Sequence, residues 1–437
     1  MSVDIGTRKS SAGMAIAGEA VVAKMSKKHV AVVGAGIVGI ACAAWLQRSG
    51  YKVTVFDEQE PGRACSFGNA GVIAPGACLP MAMPGIWKDI PQLLLDPLGP
   101  LTIRPMHAVK NLPWLMQWLS TSSLSRVNAI SKAMRKLHDQ SLVAYDTILK
   151  NANAVDLVRR TGQMYVSSKP HGALGSALSQ RLLQEAGVRT VALDAEELHE
   201  REPSLSPTVQ SGLLFPDNGH VIDPFQVVQR LADQILRDGG AIVRENVVDF
   251  DMRNKERPTL KTASGTLAVN AIVIAAGAWS STLTRMLGTS VPLAAERGYH
   301  VTMPNAHLTN MSLISVDHRV SITPMACGLR FAGTVEIADK NMAPNWKRAD
   351  MLLRAGRLLF PKLEEEGATR WMGPRPALPD GLPVIDRSPN FPSVVFAFGH
   401  AHYGLTGAAI TGKLVAELVD GSVPSIDLTP YAVGRFS

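Results

Sequence analysis

HVAVVGAGIVGIACAAWLQRSGYKVTVFDEQ, residues 29–59, is the stretch that decides the fold. His29 to Val33 is an unbroken apolar run ending in glycine, the pattern of a strand buried on both faces of a parallel sheet. Gly34, Gly36 and Gly39 follow with G-x-G-x-x-G spacing and open an apolar helix that runs to about Ser49, where Gly50 ends it. Tyr51 to Phe56 reads as a second strand, and the three pieces form a βαβ unit. Glycines at such a turn permit a tight bend, close approach of backbone to a pyrophosphate, and close helix–strand packing. The N–H groups at the helix start, those of Ile37 and Val38 among them, then face the phosphates. Asp57, with Glu58 beside it, ends the second strand where a carboxylate accepts both ribose hydroxyls. A dinucleotide is therefore predicted, but glycine spacing alone does not choose between NAD and FAD.

Outward from this unit, the grammar is interrupted twice. Prolines at 80, 84, 91, 97, 100, 105 and 113 break any parallel sheet after residue 80. Among them lie Ile86-Trp87, Leu93-Leu94-Leu95 and Trp114 to Leu119, a dense apolar group read as core packing ahead of a surface for a membrane or partner. The sheet-and-helix pattern returns at Asp223, a helix cap followed by Pro224 at the first position and Gly239-Gly240 beyond the end. Val227, Val228, Leu231 and Ile235 share one face of that helix, and Ala241–Arg244 and Ala271–Ala275 read as strands. A second proline-containing excursion runs from Val291 to about Gly367, and a helix from about Leu405 to Val419, stopped by Gly421, closes the chain. The expected fold class is α/β: a Rossmann-like cofactor domain assembled from residues 28–80, 220–290 and 366–437, and an α+β, mixed-sheet substrate domain from residues 81–219 and 291–365. Residues 1–27 are expected to form a flexible tail.

The length, 437 residues, exceeds the roughly 250–300 at which single cores stop growing, which agrees with two domains. A net charge of +7 comes from 44 basic and 37 acidic residues without a dense Lys/Arg run, so no nucleic acid partner is predicted. Four cysteines without paired spacing point to a reducing compartment and no structural metal. No secretory signal or membrane span is read, which places the chain in the cytoplasm, with the inner membrane face as a peripheral site.

After Asp57 comes a small-residue loop containing Ser66-Phe67-Gly68-Asn69-Ala70-Gly71. With this loop the chain resembles the FAD-dependent D-amino acid oxidase superfamily, particularly its bacterial D-amino acid dehydrogenase and hydroxyproline dehydrogenase-like branch. Three further stretches carry the resemblance: Ala275-Ala276-Gly277-Ala278-Trp279, similar to a second flavin-contacting turn; Gly373-Pro374-Arg375-Pro376, similar to a loop beside the isoalloxazine; and Gly399 to Gly407, similar to a closing segment whose helix points at the flavin. The resemblance implies FAD contacts at Ser66, Asn69, Ala70, Gly71, Ala276, Gly277, Trp279, Gly373, His402, Gly404, Leu405 and Thr406, with Val247 on the adenine side. Sarcosine oxidase relatives attach flavin through a cysteine just before a Thr-Pro pair; here Asp317 to Ile322 precedes Thr323-Pro324 without one, so non-covalent FAD is expected.

An amino acid must be held by its carboxylate while its Cα–H faces the flavin N5. The planar, always-charged fork of Arg375, stiffened by Pro374 and Pro376, is the expected clamp. Tyr299 and Tyr403 are the other expected substrate contacts. The implied reaction is hydride transfer from Cα of a small amino or imino acid, of D-amino acid or D-hydroxyproline type, giving an imine or a 2-oxo acid. A glycine- or sarcosine-type secondary-amine oxidase and a flavin-carrying subunit of a larger dehydrogenase are the alternatives, with oxygen, a quinone or another carrier as electron acceptor. The oligomeric state is left open.

Overall fold

A computed structural model of the protein describes residues 28–88, 101–103 and 105–436; the expected tail and Leu93-Leu94-Leu95 lie outside these. Strand His29–Val33 sits centrally in a six-stranded sheet, parallel to Lys52–Phe56 on one side and Ala271–Ile274 on the other. Ala241–Val243 and Val394–Phe398 extend the parallel pairing, and Val384–Arg387 closes it antiparallel. One sheet is thus built from three separated stretches of chain.

The glycines set how closely its layers approach. Gly34 has φ +111°, and a Cβ on Gly39 would lie 1.9 Å from the Gly34 carbonyl oxygen, so helix Ile37–Arg48 can meet the first turn only as written. A Cβ on Gly412 of helix Gly404–Asp420 would lie 2.6 Å from the Ala41 carbonyl oxygen, so those two helices touch at backbone level. Helix Pro224–Arg237 starts as the sequence predicts: the Asp223 side chain accepts from the Gln226 N–H at 3.0 Å, a cap of about 1 kcal/mol. Its Val227, Val228, Leu231 and Ile235 are buried against the sheet.

The second large sheet has nine strands. Ala294–Met303 is flanked antiparallel by Thr369–Ala377 and Gly328–Ile337, the sheet continues through Val320–Met325, Ser312–Ser315, Gln163–Ser167, Ser211–Phe215 and Val191–Leu193, and Leu101–Ile103 pairs parallel with Gly328–Ile337. Two expected boundaries are corrected here. Residues 369–377 were placed in the cofactor domain, yet they pair along their length with Ala294–Met303. Helices Leu124–His138 and Ser141–Asn151 were placed in the substrate domain, but their apolar faces join the core of the parallel sheet, where the Tyr145 hydroxyl donates to Leu405 O at 2.7 Å. Proline density marks where a sheet stops, not which core the following helices cover.

In helix Pro105–Ser120, Trp114 and Trp118 turn inward with rings stacked at 6.5 Å, while Leu112 and Met116 remain exposed. The tryptophans therefore serve as core. No helix among the described residues is long and apolar enough to cross a membrane.

Gly39→Ala must push helix and turn apart against backbone. We expect it to destabilise the protein by about 2 kcal/mol or more, read as a lower melting temperature together with reduced FAD content after dialysis.

Candidate active site

Between the two large sheets lies a cavity of about 1090 Å³, at the top of the roughly 300–1,000 Å³ range of small-molecule sites. One end is the glycine turn. Gly34, Gly36, Ile37, Val38, Asp57, Glu58, Ser66, Asn69, Ala70, Val247, Ala276, Gly277 and Trp279 all line it. The Ser66 hydroxyl accepts from the Ile37 N–H at 2.9 Å, which satisfies one orphan donor of the helix start. Asp57 shapes the turn: its Oδ2 accepts from the Ala35 N–H at 2.7 Å and its Oδ1 from the Gln59 N–H at 2.9 Å. Gly277 has φ +53°, and nothing stands within 4 Å of where its Cβ would be, leaving an open cradle beside the second turn.

The helix Gly404–Asp420 starts at the cavity wall with no side-chain cap, and His402, Tyr403, Gly404, Leu405 and Thr406 line the cavity there. The Thr406 hydroxyl accepts from the Ala74 N–H at 3.1 Å, tying this start to the chain beyond the Ser66–Gly71 loop. A helix N-terminus at a cavity wall favours negative charge.

The other chamber is built on the strand pair Ala294–Met303 and Thr369–Ala377. Directly opposed residues share a face, and here the register is Glu296 with Arg375, Gly298 with Gly373, and His300 with Trp371. The two facing glycines leave a hollow filled by their neighbours: a Cβ on Gly298 would lie 2.1 Å from Arg375 Cζ, and one on Gly373 would lie 2.1 Å from the Trp371 ring. Gly68 of the Ser66–Gly71 loop presses on the same ring, where a Cβ would again stand 2.1 Å away, and the indole stacks on His300 at 5.2 Å. Arg375 lines the cavity, with its Nη1 donating to Thr334 O at 3.2 Å. Thr334 has φ +58°, an uncommon conformation for a β-branched residue, held at the arginine's anchor.

Burial governs the ionisation of this chamber. Desolvation pushes the Glu296 carboxyl up to about 7, with Arg375 pulling the other way. Desolvation, reinforced by Arg375, lowers His402 to about 3, so its imidazole is neutral at ordinary pH. The Cys65 thiol donates to Pro374 O, and burial pushes it up to about 12.

Four expected contacts are corrected. Tyr299 points to the opposite face of its strand, packs among Val301, Met303 and Phe331, and donates to Glu336 Oε2 at 2.6 Å. It does not line the cavity. Gly373 seats Trp371 instead of lining the cavity. Gly71, with φ +79°, is held against Val221 O, and Gly39 serves helix–strand packing alone. Tyr403 does line the cavity and packs against the His138 ring at 5.0 Å. Glu296, Gly298 and Trp371 were not singled out from the sequence as site residues. Period-2 alternation through Ala294–Met303 would have found the first two, had that segment been read as a strand.

A glycine-turn cradle at one end of the cavity and a half-buried arginine at the other are the arrangement of a dinucleotide-dependent oxidoreductase. Residues 29–418 match the model of a family described as DAO, FAD dependent oxidoreductase, and the chain belongs to that family. It is 39% identical over 417 residues to a D-amino-acid oxidase of Bradyrhizobium diazoefficiens, covering 94% of this chain and 99% of that protein. A D-amino acid dehydrogenase of Rhizobium rhizogenes is 28% identical over 415 residues, 93% of this chain and 99% of its own. Among solved structures, glycine oxidase from Geobacillus kaustophilus shares the fold with a TM-score of 0.71 at 21% identity, over 94% of this chain and 99% of that one. The cofactor is FAD, and the open cradle at Gly277, the glycine turn and the uncapped helix start suit it.

A methyl group at Gly298 displaces only the end of Arg375, so Gly298→Ala should fold and keep its FAD. We expect kcat/KM to fall by about 100-fold, the scale of a misplacement near 1 Å. Equal activity in the two proteins, with FAD content matched by absorbance, would remove Arg375 from the substrate clamp.

Proposed function

We propose that this FAD enzyme oxidises the carbon–nitrogen bond of a D-amino acid, binding the substrate carboxylate through Arg375. The observation that carries the reading is the guanidinium of Arg375: it lines the cavity, is set between Gly298 and Thr334, and is presented to whatever enters. A fixed fork of this kind is suited to a planar carboxylate. The D-configuration rests on the names of the relatives at 39% and 28% identity.

Bound FAD supplies the two-electron acceptor. The chain's own part is orientation and electrostatics. Gly34, Gly36 and Ile37 would hold the pyrophosphate by backbone, Asp57 and Glu58 would hold the ribose, and Val247 would lie on the adenine side. The uncapped helix start at Gly404, Leu405 and Thr406 would stabilise negative charge developing on the bound cofactor. Arg375 fixes the substrate carboxylate so that Cα–H is delivered in one orientation. Met83, Ile86, Trp114, Leu115 and Trp118 line an apolar part of the cavity, which favours an apolar substrate side chain. Imine product that meets water gives the 2-oxo acid and ammonia, whereas a cyclic imino acid substrate gives a cyclic imine.

We further propose that FAD is held non-covalently. Among the described residues, Cys65 is the cysteine that lines the cavity, and its thiol is kept protonated and engaged with Pro374 O. Oxygen or a quinone then re-oxidises the enzyme, and the exposed Leu112 and Met116 are a candidate contact with a membrane carrying the quinone.

Anaerobic mixing of the FAD-loaded protein with D- and L-amino acids, glycine, sarcosine and both hydroxyproline epimers tests the reading. Apolar D-amino acids should bleach the flavin fastest, and bleaching by glycine or sarcosine alone would replace the reading with secondary-amine oxidation. Arg375→Ala should keep FAD but lose about 2–5 kcal/mol of transition-state binding, with Arg375→Lys recovering only part of it. Acid precipitation should leave the flavin in the supernatant.

A further inference from the structure

We propose that Glu296 receives the substrate's amino group, holding the ammonium on arrival and accepting one of its protons, and thereby selects zwitterions over simple carboxylates; this rests on the amino acid reading above.

Glu296 is 8% exposed, lines the cavity, and its Oε2 has no hydrogen-bond partner among the described residues. It lies directly across the strand pair from Arg375 and faces the same way. His402, on the closing segment, is the next group toward it, with Nδ1 at 3.9 Å from Oε2, and it is neutral. Cys65, on the Ser66–Gly71 side of Arg375, is protonated. Among the described residues, the cation Arg375 and the buried carboxylate Glu296 therefore stand side by side on this wall of the cavity. A substrate carboxylate arriving alone at Arg375 meets the negative charge of Glu296 as well. An amino acid meets neither penalty, because its ammonium reaches the carboxylate while its carboxylate reaches the guanidinium. Alternation of the four charges is the pattern a low-dielectric site favours.

The proton step balances without an oxidant. One N–H bond of the ammonium breaks, its electron pair stays on nitrogen, and an O–H bond forms on Glu296. The neutral amine then has the lone pair that supports departure of the Cα hydrogen with its bonding electrons. A carboxyl that titrates near 7 is matched to this exchange, since it is neither a strong acid nor permanently protonated. Its pKa is raised, so the receptive carboxylate is present above about pH 7 and is lost as pH falls through that value. Burial and Arg375 set this midpoint, and His402 and Cys65 are further titratable groups around it.

Two ligands of one shape test the proposal on the FAD-loaded protein: 2-aminoisobutyrate, an amino acid with no Cα hydrogen to lose, and pivalate, its amine-free counterpart. Flavin absorbance changes read their binding at pH 6 and pH 8. At pH 8 the unsubstituted protein should prefer 2-aminoisobutyrate by at least about tenfold, and the preference should shrink at pH 6. Glu296→Gln should abolish the preference while binding pivalate as well or better, and Glu296→Asp should retain part of it. With a bleaching amino acid as substrate, Glu296→Gln should lower kcat/KM by about 100-fold and remove the acid limb of its pH profile. A preference or an acid limb that survives Glu296→Gln overturns the proposal, as does equal binding of the two ligands by the unsubstituted protein at pH 8. Absence of bleaching by any amino acid instead overturns the substrate reading, and the ligand pair still decides the role of Glu296. Should Glu296→Gln fail to hold FAD, the pH dependence of the unsubstituted protein and of Glu296→Asp decides it.

Discussion

The arrangement of this protein depends on one antiparallel strand pair, Ala294–Met303 against Thr369–Ala377, and on where its last residue is anchored. Ala377 forms a bridge to His400, so the sheet that carries Arg375 is joined by backbone to the segment that begins helix Gly404–Asp420. That helix is in turn pressed onto helix Ile37–Arg48 at Gly412, and helix Ile37–Arg48 onto the glycine turn at Gly39. Three backbone-level contacts therefore separate Arg375 from the glycine turn. Side chains with free rotamers would transmit position poorly across such a distance, whereas close-packed backbone does not slip.

Much of this was legible in residues 29–59, because a βαβ turn requires glycine at particular places for steric reasons that act locally. The cap at Asp223 was legible for the same reason: a side-chain oxygen and an N–H three residues on are fixed by local geometry. The substrate chamber was less legible. Tyr299 was expected as a contact because a tyrosine near a site is chemically attractive, but alternation along a strand sends 297 and 299 one way and 296, 298 and 300 the other. The signal was present in Glu296-Arg297-Gly298-Tyr299-His300 and required only the recognition of a strand. Helices 124–151 were a different failure: which of two cores an amphipathic helix covers depends on the three-dimensional path between them, which no local pattern encodes.

Glycine carries two separate meanings in this chain. At Gly34 and Gly39 its absence of a side chain brings backbone against backbone, and the consequence is rigidity. At Gly68, Gly298 and Gly373 it makes room for the side chain of another residue, the Trp371 indole or the Arg375 guanidinium, and the consequence is a shaped chamber. Family-like loops such as Ser66–Gly71 and Gly373–Pro376 therefore act partly at one remove, by seating the groups that face the ligand. Gly373 was expected to contact the flavin, yet its place in the strand pair makes it the floor beneath Trp371.

The ionisation pattern follows from that shape. Burial beside the glycines, Trp371 and His300 is the largest cause that lowers His402, raises Glu296 and keeps Cys65 protonated. Each shift has burial as its largest cause, with Arg375 second, so the same guanidinium that is suited to bind a carboxylate also sets the charge state of the groups around it. A protein with these three groups on the surface would offer a substrate three solvated side chains at their ordinary pKa values. Enclosed, they leave one cation, one carboxylate near its midpoint and a neutral imidazole, a set in which the arrival of one more charge changes the protonation of its neighbours.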